Sequence, residues 1–128
     1  SMIQEYYQYK ECRNEDKYQV CSWLPKGEVK FVLQVVHGMT EHIGRYEKLA
    51  EFLTQEGIAV VGFDLRGHGM NGKGMACASF GEDGWDATLK DIHQLHCSLK
   101  MKYADAKHYL LGFSLGSFLV REYLILPK

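Results

Sequence analysis

The stretch Gly112-Phe113-Ser114-Leu115-Gly116 fits the pattern G-x-S-x-G. A short strand is predicted over residues 108–112 before it, and a helix over residues 114–126 after it. At a tight strand-to-helix turn, the serine hydroxyl is exposed at the top of the sheet and flanking glycines let the backbones pack closely. Ser114 is therefore a candidate nucleophile, and the Leu115 amide at the helix N-terminus is a candidate oxyanion donor. The alternative, a serine that caps a helix by chance, does not explain this context.

A long apolar run over residues 29–37 (VKFVLQVVH) supports the same interpretation. It is nearly continuous and rich in valine, which is typical of a central strand buried on both faces. Where a G-x-S-x-G turn carries a nucleophile, a second backbone donor comes from the loop after an earlier strand. The sequence at this point is His37-Gly38-Met39, so the Met39 amide is the second candidate oxyanion donor.

Hydrophobic spacing predicts that the other elements alternate between strands and helices. A hairpin is predicted from strands over 5–12 and 18–24 with a polar turn at 13–16, and a buried strand over 58–63. The positions predicted to face the core along three helices are Tyr46, Leu49, Ala50 and Leu53, ended by Gly57; Trp85, Leu89, Ile92, Leu95 and Leu99; and Leu115, Phe118, Leu119 and Tyr123. The order hairpin-β-α-β-α-β-α predicts an α/β fold with a mostly parallel sheet.

Composition and charge narrow the function classes. The 128 residues suit one domain. Ser1 is interpreted as a tag remnant and Met2 as the start methionine. Lysine plus arginine total 15 against 16 acidic residues, so a net charge of −1 predicts no nucleic-acid partner. No apolar run approaches the roughly 20 residues of a transmembrane helix, and no signal peptide is recognised. We therefore expect a cytoplasmic protein.

The four cysteines, at positions 12, 21, 77 and 97, have no C-x-x-C spacing. A structural zinc site or a thioredoxin-type motif is therefore not expected. Scattered cysteines in a chain with an ample core predict free thiols and a reducing compartment. The alternative is a Cys12–Cys21 bridge across the hairpin, or another disulfide.

A glycine-rich stretch offers a rival function, nucleotide binding. Residues 67–72 fit G-x-G-x-x-G, and residues 67–73 fit G-x-x-x-x-G-K. A phosphate-binding loop of the second kind needs a hydroxyl residue after the lysine, but Gly74 stands there. A dinucleotide fold needs its helix to begin within the glycines, whereas loop is predicted up to Trp85. Nucleotide binding is therefore not favoured.

Three motifs taken together resemble one family. They are His37-Gly38-Met39-Thr40-Glu41-His42 followed by Arg45-Tyr46, then Asp64-Leu65-Arg66-Gly67-His68-Gly69, and then the G-x-S-x-G stretch. Their order and spacing resemble the monoacylglycerol lipase and lysophospholipase group of α/β-hydrolases, whose members are also called serine aminopeptidases. The resemblance runs from about residue 17 to the last residue.

The resemblance implies a serine ester hydrolase that acts through an acyl-serine intermediate on a small-molecule or lipid ester. Ser114 matches the nucleophile, and the amides of Met39 and Leu115 match the oxyanion hole. The loop over 64–69 matches a structural support near the site. No cofactor and no metal are implied. Thr40, Phe113 and Ser117 depart from the group's usual Gly, His and Gly, although none of these changes removes a catalytic atom.

The group's catalytic Asp and His have no match in this sequence, because the resemblance covers only the N-terminal part of the α/β-hydrolase domain. We therefore expect the chain alone to be inactive, since a serine without a base is a poor nucleophile. None of the six histidines is expected to replace that base. The alternative is a non-catalytic hydrolase fragment, stable through self-association or a complementing C-terminal chain, because the strand over 108–112 would be an open sheet edge.

Overall fold

The computed structural model describes residues 7–15, 18–37, 43–64, 84–112 and 115–127. The strands and helices in these ranges are β1 (Tyr7–Glu15), β2 (Tyr18–Pro25), β3 (Phe31–Val36), α1 (Glu47–Leu53), β4 (Ile58–Phe63), α2 (Gly84–Lys102), β5 (Lys107–Gly112) and α3 (Leu115–Ile125). Short 3-10 turns, Ile43–Tyr46 and Thr54–Glu56, flank α1. The predicted order of elements is confirmed.

The strands form one sheet in the order β1-β2-β4-β3-β5. The central strand β3 pairs in parallel with β4 and β5, while the hairpin β1–β2 joins the sheet antiparallel, through β2 and β4. This arrangement confirms the predicted α/β fold with a mostly parallel sheet. The carboxyl ends of β3, β4 and β5 therefore lie at the same edge of the sheet, where the candidate site residues follow them.

Helices cover both faces of β3, which explains why its sequence is apolar in consecutive positions. On one face, Val32 and Val36 belong to the core that α2 and α3 complete. On the other face, Val35 packs in a second core with Ala50 of α1. Gln34 is buried in β3 and donates from Nε2 to the Ile92 carbonyl oxygen of α2 at 3.1 Å. This bond holds α2 against the centre of the sheet.

Most predicted boundaries agree with the structure to within two residues. The strand predicted over 58–63 is β4 itself. Gly57 ends the helical segment before it in the left-handed conformation, with φ 79°, which confirms its predicted role as a helix stop. Of the predicted core positions of α2, Leu89, Ile92, Leu95 and Leu99 are buried, and Trp85 is partly buried against the same core.

Two local predictions were wrong. Residues 13–15 do not form a turn, because β1 continues through them and Glu15 pairs with Tyr18. Polar residues are tolerated there since β1 is an edge strand of the described sheet. Phe118 does not face the core: it is 59% exposed, because α3 turns Leu119 and Tyr123 towards the sheet instead.

The prediction of free thiols is wrong for Cys21, which is disulfide-bonded. Cys12 stands directly opposite Cys21 in the β1–β2 register, as the alternative bridge across the hairpin requires. Cys97 is a free, exposed thiol on α2. The cytoplasmic assignment rested in part on free thiols and therefore stays a prediction. Among the described helices, none combines the length and apolarity needed to cross a bilayer.

Candidate active site

The end of β3 and the first turn of α3 are in backbone contact at Gly116. A Cβ atom added to Gly116 would overlap the Val36 carbonyl oxygen and lie 2.7 Å from the carbonyl oxygen of His37. Real Cβ atoms essentially never approach backbone atoms this closely. Only glycine therefore lets the helix after the G-x-S-x-G serine sit directly on the strand that leads into His37-Gly38-Met39.

Gly112 makes the second close approach, within the G-x-S-x-G stretch itself. A Cβ atom at Gly112 would overlap the carbonyl oxygen of Gly116 and lie 2.7 Å from the Ser117 nitrogen. The last residue of β5 and the first turn of α3 are thus in close backbone contact. The predicted reason for the two glycines, close backbone packing around the turn, is confirmed. Ser117, where the family usually has glycine, is accommodated within the regular helix α3.

The predicted site residues themselves are described only in part. Leu115 is the first residue of α3, so its amide is at the N-terminus of that helix, as predicted. Ser114 and Met39 lie outside the described residues. Each is two residues away in sequence from a residue of the close contact, which joins the His37 carbonyl oxygen to Gly116.

A buried carboxylate at the end of β4 binds the chain just after residues 38–42, the segment that contains Met39. Asp64 is only 1% exposed, and its Oδ1 accepts a hydrogen bond from the Ile43 amide at 2.8 Å. Ile43 also approaches Gly62 closely enough that a Cβ atom there would overlap its Cδ1. These contacts tie the segment that follows residues 38–42 to β4. They agree with the support role that the family resemblance implied for the 64–69 loop, of which only Asp64 is described.

Three of the histidines lie away from this edge of the sheet. His108 is near the start of β5, and His96 is beside it, with 6.1 Å between the ring centroids. His93 contacts Tyr123 in the second half of α3. Gly112 is four positions after His108 along the strand, a distance of about 13 Å. His37 is buried at the end of β3, and His42 and His68 lie outside the described residues.

The glycine stretch over 67–72, the rival nucleotide site, lies outside the described residues. The first described helix after β4 begins at Gly84. A dinucleotide-binding turn instead needs the helix N-terminus within the glycine motif. Within the described ranges, no group of three or more His, Cys, Asp or Glu side chains is arranged to hold a metal ion.

Comparison with known proteins identifies the family. The model of the family described as serine aminopeptidase, S33, matches residues 27–128. This chain belongs to that family. The S33 match begins just before β3 and covers every described element from β3 to α3, which includes the whole of the candidate site.

The relatives that this chain matches include monoglyceride lipases. The chain is 35% identical to human monoglyceride lipase over 95 residues, which are 73% of this chain and 30% of the human protein. It is also 35% identical to a monoglyceride lipase homologue of monkeypox virus over 96 residues, 74% of this chain and 33% of the viral protein. The chain thus spans about a third of the length of these relatives.

The fold agrees with solved α/β-hydrolases. A thermostable carboxyl esterase from Bacillus coagulans superposes with a TM-score of 0.76 at 24% sequence identity. The superposition covers 90% of this chain and 39% of the esterase. At this identity the likeness shows the fold alone, and it confirms that the described sheet is part of an α/β-hydrolase sheet.

Proposed function

We propose that this chain carries the nucleophile of a serine ester hydrolase that acts on monoacylglycerols or lysophospholipids. The observation that carries the proposal is the backbone contact of Gly116 with Val36 and His37. It joins the helix that follows Ser114 to the strand that precedes Met39. A nucleophile and two oxyanion donors can serve one reacting carbonyl only if these two segments meet. The family and the names of the relatives support ester hydrolysis of the monoglyceride lipase type.

In the proposed reaction, the Ser114 oxygen attacks the ester carbonyl and forms a tetrahedral intermediate. The amides of Met39 and Leu115 donate to the oxyanion, which carries full charge only in that state. Loss of one such donor typically raises the barrier by about 3 kcal/mol. Collapse of the intermediate releases the alcohol and leaves an acyl-serine, which water then hydrolyses. This chemistry needs neither a metal nor an organic cofactor.

Ser114 needs a base. We propose that a His outside this sequence is this base, and that an Asp outside this sequence orients the His. His93, His96 and His108 are grouped at the opposite end of β5 from Gly112, which argues against them as substitutes. The chain alone is therefore expected to show little or no turnover.

Labelling by a fluorophosphonate tests the assignment of Ser114, because such probes react with activated serines. In a longer protein that includes the complementing segment, we expect one adduct by intact mass, located at Ser114 and absent in Ser114→Ala. Ser117→Ala, which removes a hydroxyl in the first turn of α3, is the matched control and should keep the adduct. An adduct that persists in Ser114→Ala would contradict the proposed nucleophile.

A second candidate function, assembly, is favoured by the open edge of β5. In the described sheet β5 pairs with β3 on one side only. Tyr109 of this strand is 53% exposed, and Leu124 and Ile125 of α3 are also exposed. Unpaired strand edges beside apolar side chains promote pairing with another chain. We propose that β5 mediates self-association of this chain, or binds a complementing C-terminal chain.

Light scattering of the 128-residue chain tests the assembly proposal. We expect a mass above that of a monomer, and a shift towards monomer in Tyr109→Lys, because a charged residue on an edge strand opposes pairing. Phe52→Lys is the matched control: Phe52 is similarly exposed, but it lies on α1. A monomeric wild-type chain, or an equal effect of both substitutions, would rule out self-association through β5.

A further inference from the structure

Three histidines border the open edge of β5, the proposed site of self-association. A groove of about 670 Å³ lies between α2, β5 and α3, and His93, His96 and His108 line it. Three consecutive residues of β5, from His108 to Leu110, line the same groove. Their side chains alternate between the two faces of the sheet, so one groove reaches all of them only at the edge that is unpaired in the described sheet. A strand that pairs with β5 would therefore lie beside these histidines.

Two of the imidazole rings are close to each other, across the boundary between α2 and β5. The ring centroids of His96 and His108 are 6.1 Å apart, and Tyr123 of α3 is 6.1 Å from His96 on another side. The Nε2 atom of His108 donates to the Tyr103 carbonyl oxygen at 2.8 Å, since a carbonyl oxygen only accepts. The second proton of this ring is therefore taken up at Nδ1. When both rings are protonated, two like charges lie well within one Debye length.

The groove itself offers these charges no carboxylate. Among the described residues that line it, none is Asp or Glu, and the other ionisable side chains are those of His93, Cys97, Lys100, Tyr109 and Tyr123. Burial, and then the nearby Cys97 thiol, raise the pKa of Tyr123, so this phenol adds no negative charge near neutral pH. His93 also borders a second groove, which contains Lys90 and the buried Asp91. The inference therefore depends on His96 and His108.

We propose that His96 and His108 make self-association through β5 sensitive to acid, so that two copies of this chain pair near pH 7.5 and separate near pH 5.5. This inference rests on the proposed self-association and concerns its regulation. In the purified chain, the available partner is a second copy. A two-fold pair brings the same groove of both copies to the interface, because such a contact uses one surface twice. A different chain would not bring a second set of these histidines.

The direction of the effect follows from the charge of the imidazoles. A histidine side chain changes its charge between about pH 5 and pH 8. Above this range the rings are neutral, and the apolar side chains of Met101 and Leu124 in the groove can be covered by the partner. Below it, two positive charges join that of Lys100 in each copy. Repulsion between the copies and the cost of covering charged rings then both oppose pairing.

Sedimentation of the 128-residue chain at pH 7.5 and pH 5.5, at one ionic strength, measures the dissociation constant of the pair. We expect this constant to be at least about tenfold larger at pH 5.5. Addition of about 0.5 M sodium chloride should reduce the difference, because salt screens charges near the surface. Circular dichroism at both pH values checks that folded chains are compared.

Three variants assign the effect to the two rings. His96→Gln combined with His108→Gln should bring the two constants within about twofold of each other. Lys100→Gln is the matched control: it removes a charge from the same groove but no imidazole, so the difference between the two pH values should remain. His96→Lys introduces a charge that persists at pH 7.5, and should weaken pairing there without acid.

The outcomes separate this inference from the proposed self-association. A chain that is monomeric at both pH values would overturn the self-association and this inference with it. A paired chain with equal constants at both pH values, a difference that survives in the double variant, or an unchanged constant in His96→Lys at pH 7.5 would overturn the acid sensitivity alone.

Discussion

Replacing Gly116 by alanine is expected to destabilise the folded chain by about 3 kcal/mol, at the upper end of overpacking costs. The added methyl group would overlap the Val36 carbonyl oxygen and crowd that of His37. Both are backbone atoms at the end of the central strand β3, which is hydrogen-bonded on both sides. They cannot swing away as a flexible side chain could, so α3 must move off the sheet.

Urea unfolding of the purified chain, followed by circular dichroism, measures this cost. Gly27→Ala is the matched control, because a Cβ atom there meets nothing within 4 Å, and its effect should stay within about 0.5 kcal/mol. A Gly116→Ala chain as stable as Gly27→Ala would show that α3 does not sit on β3 as described. The contact of Gly116 with β3, which carries the proposed function, would then be absent as well.

Asp64→Ala should have a comparably large effect, a loss of about 3 kcal/mol in the free energy of unfolding. The carboxylate is buried and accepts from the Ile43 amide at 2.8 Å. Truncation removes a charge-assisted hydrogen bond and leaves a buried amide without this acceptor, which costs more than the bond itself contributes. Ile43 is packed in the core beside Val35, so water cannot easily replace the carboxylate.

The same unfolding experiment tests Asp64, with two reference substitutions. Asp64→Asn keeps an oxygen acceptor and should lose clearly less than Asp64→Ala. Asp105→Ala removes an exposed carboxylate in the turn before β5 and should change stability by no more than about 0.5 kcal/mol. If Asp64→Ala is no more costly than Asp105→Ala, the bond to Ile43 does not anchor the segment after residues 38–42.

The two substitutions act on the same edge of the sheet from opposite sides. Gly116 sets how closely the helix after Ser114 approaches β3, and Asp64 holds the start of the segment that follows Met39. In a complemented protein, both variants should therefore slow fluorophosphonate labelling of Ser114 if the proposed site is correct. Gly27 lies at the opposite end of the sheet, after β2, so Gly27→Ala should not slow this labelling.

Local signals in the sequence were sufficient for most of the fold. The apolar run of β3, the stop at Gly57 and the helical spacing of α2 were all confirmed, because each depends on residues close together in the chain. Phe118 was misplaced because apolar spacing cannot show which side of a helix finds a partner. Residues 13–15 were misplaced because strand pairing at an edge does not need apolar side chains.

The sequence by itself determined the family, the mostly parallel α/β sheet and the candidate nucleophile Ser114, because motif spacing and hydrophobic period are properties of the chain alone. The roles of Ser114 as nucleophile and of the Met39 amide as oxyanion donor remain predictions. Only the tertiary structure decided that β2 lies beside β4, that Asp64 binds Ile43 and that His96, His108 and Tyr123 meet. These contacts join residues far apart in the chain, or depend on which helix face packs, and packing between elements selects them.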